Sequence, residues 1–333
     1  GYEVMTVAPA DRMILSTYSA TIRGRQDIDI YPQVSGTLTK VCVTEGQRVK
    51  NGQTLFIIDQ VPYEAALQTA VANVKSAEAA LATAQLTYES KEELYKENVV
   101  SAFDLSTAKN SLLSAKAQLA QAKAQEVNAR NNLSYTVVKS PSDGVIAMLP
   151  YRVGALVGPS IPQALTTVSD NSDMYVYFSL TENELLSLIN QYKNMDEALK
   201  NMPEVELKLI DGSVYGEKGR VESISGVINR QTGTVGVRAV FPNASGILHS
   251  GASGSVLVPN SYKGVIVIPQ EATVAMQDKI SVYKVVDGKA TSTLITVAAI
   301  NDGREYIVLD GLKVGDEIVS QGAGLLREGT QVK

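Results

Sequence analysis

The sequence predicts a mainly β, modular chain interrupted by one long antiparallel α-helical hairpin. Three observations carry that expectation. Residues 63–135 contain neither proline nor glycine and are dense in Ala, Leu, Lys, Glu and Gln, the strong helix formers. A glycine-punctuated, alternating pattern stands on both sides of this stretch, at Gly36, Gly46 and Gly52 before it and at Gly144 and Gly154 after it. Beyond residue 170, short alternating runs are separated by turn signals, among them Asp211-Gly212, Asp287-Gly288, Asp302-Gly303 and Asp310-Gly311.

The helical stretch reads as two halves. Leu67, Ala70, Val74, Ala77, Leu81, Ala84, Tyr88, Lys91 and Tyr95 follow a 3-4 spacing with one polar exception. Leu105, Ala108, Leu112, Ala115, Leu119, Ala122, Glu126, Ala129 and Leu133 repeat it, again with one exception. Sustained heptads define a coiled-coil seam, and large residues alternating with alanine let two helices approach closely. The seam breaks between Glu97 and Asp104, where Ser101 is a candidate N-cap with Asp104 as the acidic partner of a capping box. Two helices joined there make a rod about 50 Å long at 1.5 Å per residue, with little concave surface for catalysis.

The flanking β segments repeat one another. Gly36 and Gly46 are separated as Gly144 and Gly154 are, and each second glycine precedes a valine, Val49 or Val157, by three residues. A repeat interrupted by a hairpin is read as one β domain whose halves pair in space.

Composition narrows the function classes. The chain has 333 residues with 44% hydrophobic content, enough for more than one domain. A net charge of −5 gives no electrostatic reason to bind nucleic acid. One histidine, His249, and one cysteine, Cys42, leave no clustered metal ligands and no internal disulfide. Cys42 lies in an alternating run and is expected as a buried structural thiol. Gly251-Ala252-Ser253-Gly254-Ser255 approximates a nucleophile elbow but lacks its last glycine, so it is read as a turn entering a strand, with His249 in a surface loop. The chain is therefore expected to be no enzyme, with no catalytic, metal or cofactor site.

The glycines at 36, 46 and 52 resemble those of a biotinyl/lipoyl domain. The order half-lipoyl, helical hairpin, half-lipoyl resembles the periplasmic adaptors, or membrane fusion proteins, of tripartite RND-type efflux pumps. The resemblance continues through Met174-Tyr175-Val176-Tyr177-Phe178, Asn229-Arg230-Gln231-Thr232-Gly233-Thr234 and Phe241-Pro242-Asn243, which are similar to that family's β-barrel. Val267-Ile268-Pro269 and Gly311-Leu312-Lys313-Val314-Gly315-Asp316 are similar to its membrane-proximal domain. The resemblance implies an elongated chain of four modules: a membrane-proximal β domain (1–31 and 266–333), a split lipoyl-like domain (32–62 and 136–170), the hairpin (63–135) and a β-barrel (171–265). Within the barrel, residues 182–191 are expected to form a short helix capped by Thr181 with Glu184.

Function follows from the same resemblance. The family's hairpin tip meets an outer-membrane channel, which places channel contacts at Leu94, Asn98, Val99, Val100 and Ser101. The family arginine falls on Ser90, with Lys91 beside it, so the sequence departs from the pattern there. A lipoyl carrier would display its modified lysine on the turn where this chain inserts its helices, so no covalent cofactor is expected. The implied partners are an inner-membrane transporter, an outer-membrane channel and further copies of the chain, as trimer or hexamer. The implied location is the periplasm, with a lipid anchor in the inner membrane. An adaptor of an ABC-type exporter and a lipoyl or biotin carrier are the alternatives.

Overall fold

The structure is a computed structural model that describes residues 2–299 and 301–332. The chain divides into two compact units, Gly24–Ser172 and the remainder. The first holds the hairpin and the β repeat; the second holds the chain up to Arg23 and from Asp173 onward.

Two helices, α1 (Val61–Lys96) and α2 (Ala102–Tyr135), form the hairpin. α1 starts before the proline-free stretch, because Pro62 sits in its first turn, where a missing N–H is no loss. The expected seam is observed. Every position from Leu67 to Lys91, and every one from Leu105 to Leu133, is buried or half-buried. Tyr95, the last position of the first half, is 43% exposed. The seam's buried residues are mostly small: Ala70 and Val74 in α1, and Ala108, Leu112, Ala115 and Ala122 in α2. Glu126 is tolerated on the seam because it reaches Arg130 one turn on, at 2.8 Å.

The β repeat is paired reciprocally. Strand Arg48–Val49 of the first half runs antiparallel to Gly144–Ile146 of the second, with Val49 opposite Gly144. Strand Leu156–Val157 of the second half runs antiparallel to Gly36–Val41 of the first, with Val157 opposite Gly36. Each half's valine thus faces the other half's glycine. The turns match as well: Gly46 N donates to Ile146 O and Gly154 N to Leu38 O, both at 2.8 Å. Equivalent glycines do equivalent work. Gly46 and Gly154 adopt φ of 77° and 95°, which a side chain disfavours. Gly36 and Gly144 instead leave room for neighbours: a Cβ on Gly144 would stand 2.6 Å from Ser169 O. Between the halves, Leu38, Leu55, Phe56, Ile58, Ile146 and Leu165 close one apolar core. Cys42 corrects an expectation, being only partly buried beside that core rather than within it.

The second unit contains a barrel. Its strands follow in the order Glu206–Leu209, Ser253–Pro269, Pro9–Ile30, Thr166–Thr181, Thr234–Pro242 and Arg220–Asn229. The ring closes between its ends through paired hydrogen bonds of Val205 and Gly219, at 2.8 and 2.9 Å. Glycine is required at that seam, because a Cβ on Gly219 would stand 2.6 Å from the buried Phe241 ring. α3 (Glu182–Tyr192) begins with the expected capping box of Thr181 and Glu184, and α4 (Met195–Asn201) follows it. The loop around His249 and the strand starting at Ser253 agree with the reading of that segment as a turn entering a strand.

The rest of this unit is a β assembly of Thr273–Met276, Lys279–Val286, Lys289–Val297, Glu305–Asp310 and Glu317–Val319. Strand Val4–Thr6 joins it, with Val4 opposite Val319. The expected grouping of residues 1–31 with the C-terminal segment is divided by the packing. Val7 packs with Ile268 and Ile318, whereas Ala20 and Ile22 complete the barrel core and Ile30 belongs to the core of the repeat. An alternating strand can serve successive cores along its length, which a boundary drawn by composition does not anticipate.

Candidate docking site at the hairpin tip

The turn between α1 and α2 is closed by two capping motifs. Asn98 takes φ of 58°, the left-handed conformation that ends a helix. Its N–H donates to Tyr95 O at 3.0 Å and the N–H of Val99 donates to Leu94 O at 2.8 Å. These two bonds make a Schellman motif, the motif that commonly sets Leu94 and Val99 as an apolar pair. Asparagine rather than glycine tolerates the left-handed backbone there, since its short polar side chain lowers the penalty.

Ser101 opens α2. Its Oγ accepts from Asp104 N at 3.1 Å, and Asp104 Oδ2 accepts from Ser101 N at 3.1 Å and from the Ser101 hydroxyl at 2.8 Å. These bonds, the hydroxyl's first, hold the Asp104 carboxyl below the usual carboxylate range, and the charge of Lys91 adds to the effect. Lys91 is half-buried on the seam, whereas Ser90 beside it is exposed. The cation at the position next to the family's arginine therefore serves the turn itself. On the outer side, Lys96 pairs with Glu93 at 2.9 Å.

The five residues expected to meet a channel all lie in or beside this turn. Asn98 and Ser101 are exposed, Val100 is half-buried, and Leu94 and Val99 are 37% and 67% exposed. Two further apolar side chains were not expected there: Tyr95 at 43% and Phe103 at 78% exposure. Phe103 was missed because the residue after an N-cap carries no heptad signal. Its exposure on a helix of otherwise ordered period was the available clue. Four large apolar groups exposed together at one end of a rod are the mark of an interaction surface.

The lipoyl-like glycines shape the base of the hairpin. Strand Thr54–Ile58 leads into α1, and α2 leads into Val137–Lys139, which pairs with Thr54–Ile58. No cluster of three or more His, Cys, Asp or Glu residues is gathered in metal-binding geometry among the described residues. Among them, too, no helix is long and apolar enough to cross a membrane.

Residues 26–169 match the model of the RND membrane fusion protein barrel-sandwich hybrid domain, and residues 173–258 that of the family's β-barrel domain. The chain belongs to the RND membrane fusion proteins. It is 32% identical to the efflux pump periplasmic linker BepF of Brucella suis, over 95% of this chain and 76% of that protein. Its identity to the multidrug resistance protein MexA of Pseudomonas aeruginosa is 32%, over 92% of this chain and 77% of the relative. To the multidrug resistance protein MdtE of Escherichia coli K12 it is 29% identical, over 99% and 86%. The fold is that of MacA from Actinobacillus actinomycetemcomitans, with a TM-score of 0.64 at 24% identity, covering 96% of this chain and all of that one. A membrane fusion protein of this kind is an adaptor, and its relatives are named as periplasmic linkers of efflux pumps.

Proposed function

We propose that this membrane fusion protein is a periplasmic adaptor joining an inner-membrane RND-type transporter to an outer-membrane channel, for export of drugs or other small molecules. The observation that carries the reading is the hairpin tip. Leu94, Tyr95, Val99 and Phe103 are exposed on a capped turn whose two helices both root in one β core. A rod fixed at both strands of its base presents the tip in a defined place, which suits a contact made far from the body of the protein.

The reading assigns no chemical step to the chain. Leu94, Asn98, Val99, Val100 and Ser101 meet the channel, with Tyr95 and Phe103 added. The barrel and the β assembly after residue 265 face the transporter, which supplies the energy. Several copies, three or six, surround the conduit, and a lipid anchor holds each at the inner membrane. A swinging lipoyl or biotin arm is disfavoured, since the chain enters α1 at the position where a carrier would turn.

Complementation tests this directly. Phe103 occupies the first turn of α2, where an acidic residue suits the helix dipole, so Phe103→Asp alters the tip without loss of the fold. Cells that lack the native adaptor and express Phe103→Asp or Val99→Asp are expected to lose most of the resistance that the unaltered chain restores. Cysteine at position 99 is expected to cross-link to the outer-membrane channel. Full resistance with both substitutions and no cross-link would remove the tip from the docking role.

A further inference from the structure

Beside α3, in the unit that contains the barrel, lies a cavity of about 480 Å³. It falls within the ~300–1,000 Å³ range of sites that take small organic ligands. Side chains from α3 and the barrel line it, and Val297, Ala298 and Leu309 of the adjoining β assembly complete the wall. Its apolar lining is aromatic and soft: Tyr18, Phe178, Tyr262, Leu188 and Met202. The rings of Tyr18 and Phe178 stand 5.5 Å apart. Two smaller hollows share its walls, one at Tyr18 and Glu184 and one at Leu188 and Met202, so the space is larger than a single chamber.

The charge in this space is one-sided. Glu184 is its acidic residue, and among the described residues no Lys, Arg or His lines any of the three hollows. The capping box uses Glu184 Oε2, which accepts from Thr181 N at 2.7 Å and from the Thr181 hydroxyl at 2.9 Å. Oε1 accepts one bond, from the Tyr18 hydroxyl at 3.0 Å. A carboxylate offers about four acceptor sites, so one on Oε1 is unused. Burial first, and then the bond to Glu184, pushes the Tyr18 phenol up to about 12, so the phenol stays a neutral donor. Neutral donors spread the negative charge without cancelling it. A cation entering an apolar space lined by such a carboxylate and by aromatic faces gains both Coulomb attraction and cation–π contact, whereas an anion is repelled.

We propose that this cavity binds lipophilic organic monocations, with Glu184 as their counter-ion. The proposal goes beyond the adaptor reading and does not depend on it, because binding is measured on the purified chain without transporter or channel. Isothermal titration with tetraphenylphosphonium is the test, with tetraphenylborate as the same-shaped anion. The expected result is saturable binding of the cation and binding of the anion weaker by about tenfold or more. Glu184→Gln keeps a glutamine at the third helical position, which a capping box accepts. It is expected to weaken the cation about tenfold and to narrow the difference between the two ions. Ser187→Trp, which fills the cavity from α3, is expected to abolish binding. Circular dichroism checks that each variant folds. Absent cation binding, equal binding of the two ions, or unchanged cation affinity in either folded variant would overturn the proposal. If Glu184→Gln does not fold, the comparison of the ions and Ser187→Trp decide.

Discussion

Ser101 and Asp104 show how much a single turn can encode. Their spacing announces a capping box, and the structure places both halves of it. Because hydrogen bonding lowers the Asp104 pKa in the folded state, its contribution is present above the unfolded carboxylate value of 3.8 and fades as pH falls through the lowered value. Ser101→Ala should therefore return the Asp104 titration, followed by NMR, towards that ordinary value. It should also weaken the start of α2 by about 1 kcal/mol, seen as faster amide exchange in its first turn. The other half of the turn was not legible in the same way. Asn98 is one polar residue among several, and only the left-handed backbone marks it as the stop of α1. The repeat glycines make a second residue-scale test. Gly46→Ala meets open space and strains only the backbone, for roughly 1–2 kcal/mol. Gly144→Ala drives a methyl against Ser169 O and is expected to lower the thermal midpoint more.

At the scale of elements, the hairpin was the most legible part of the chain. A 3-4 apolar spacing sustained over two stretches leaves one partner geometry, each helix against the other. Even the polar exceptions keep their places, Lys91 beside the turn and Glu126 paired to Arg130. The seam gives a sharp contrast between neighbours. Leu112 is 5% exposed and Leu113 is 53% exposed. Leu112→Ala is expected to destabilise the hairpin by about 2 kcal/mol or more, while Leu113→Ala stays within about 0.5 kcal/mol in chemical denaturation. α3 was equally readable, because its cap and its apolar face agree. The strands before it were readable as strands but not as partners. A period of two says which residues share a face and leaves open which edge lies alongside.

For the whole molecule, the reciprocal pairing of the β repeat predicts that its core does not need the helices. Ile57 lies opposite Val137, and Ile58 N donates to Thr136 O at 2.8 Å, so the chain ends left by removing the hairpin are adjacent. Replacing residues 61–135 with a two-residue Asn-Gly turn should leave the repeat core folded, with its dispersed amide spectrum intact. The same variant should restore no resistance in the complementation assay. An unfolded core would mean that α1 and α2 hold the halves together, contrary to the register. Closure of the barrel offers a parallel test. Gly219→Ala presses on the fully buried Phe241 and is expected to lower stability by about 1–3 kcal/mol, read as a shift in the thermal midpoint.

The sequence by itself determined the periodic features: the helical seam, the caps at Thr181 and Ser101, the turn glycines, and the repeat on either side of the hairpin. These are set by contacts within a few residues or by a strict period, so they are written locally. Only the tertiary structure decided which strands meet. It divided the first thirty residues among three cores, closed the barrel through Val205 and Gly219, and set each half's valine against the other half's glycine. It also brought Tyr18 to Glu184 across more than half the chain, beside a cavity that no local pattern describes. Such pairings depend on which surfaces exclude water together once the chain has folded back, and that choice is made by packing between distant segments rather than by the order of neighbours.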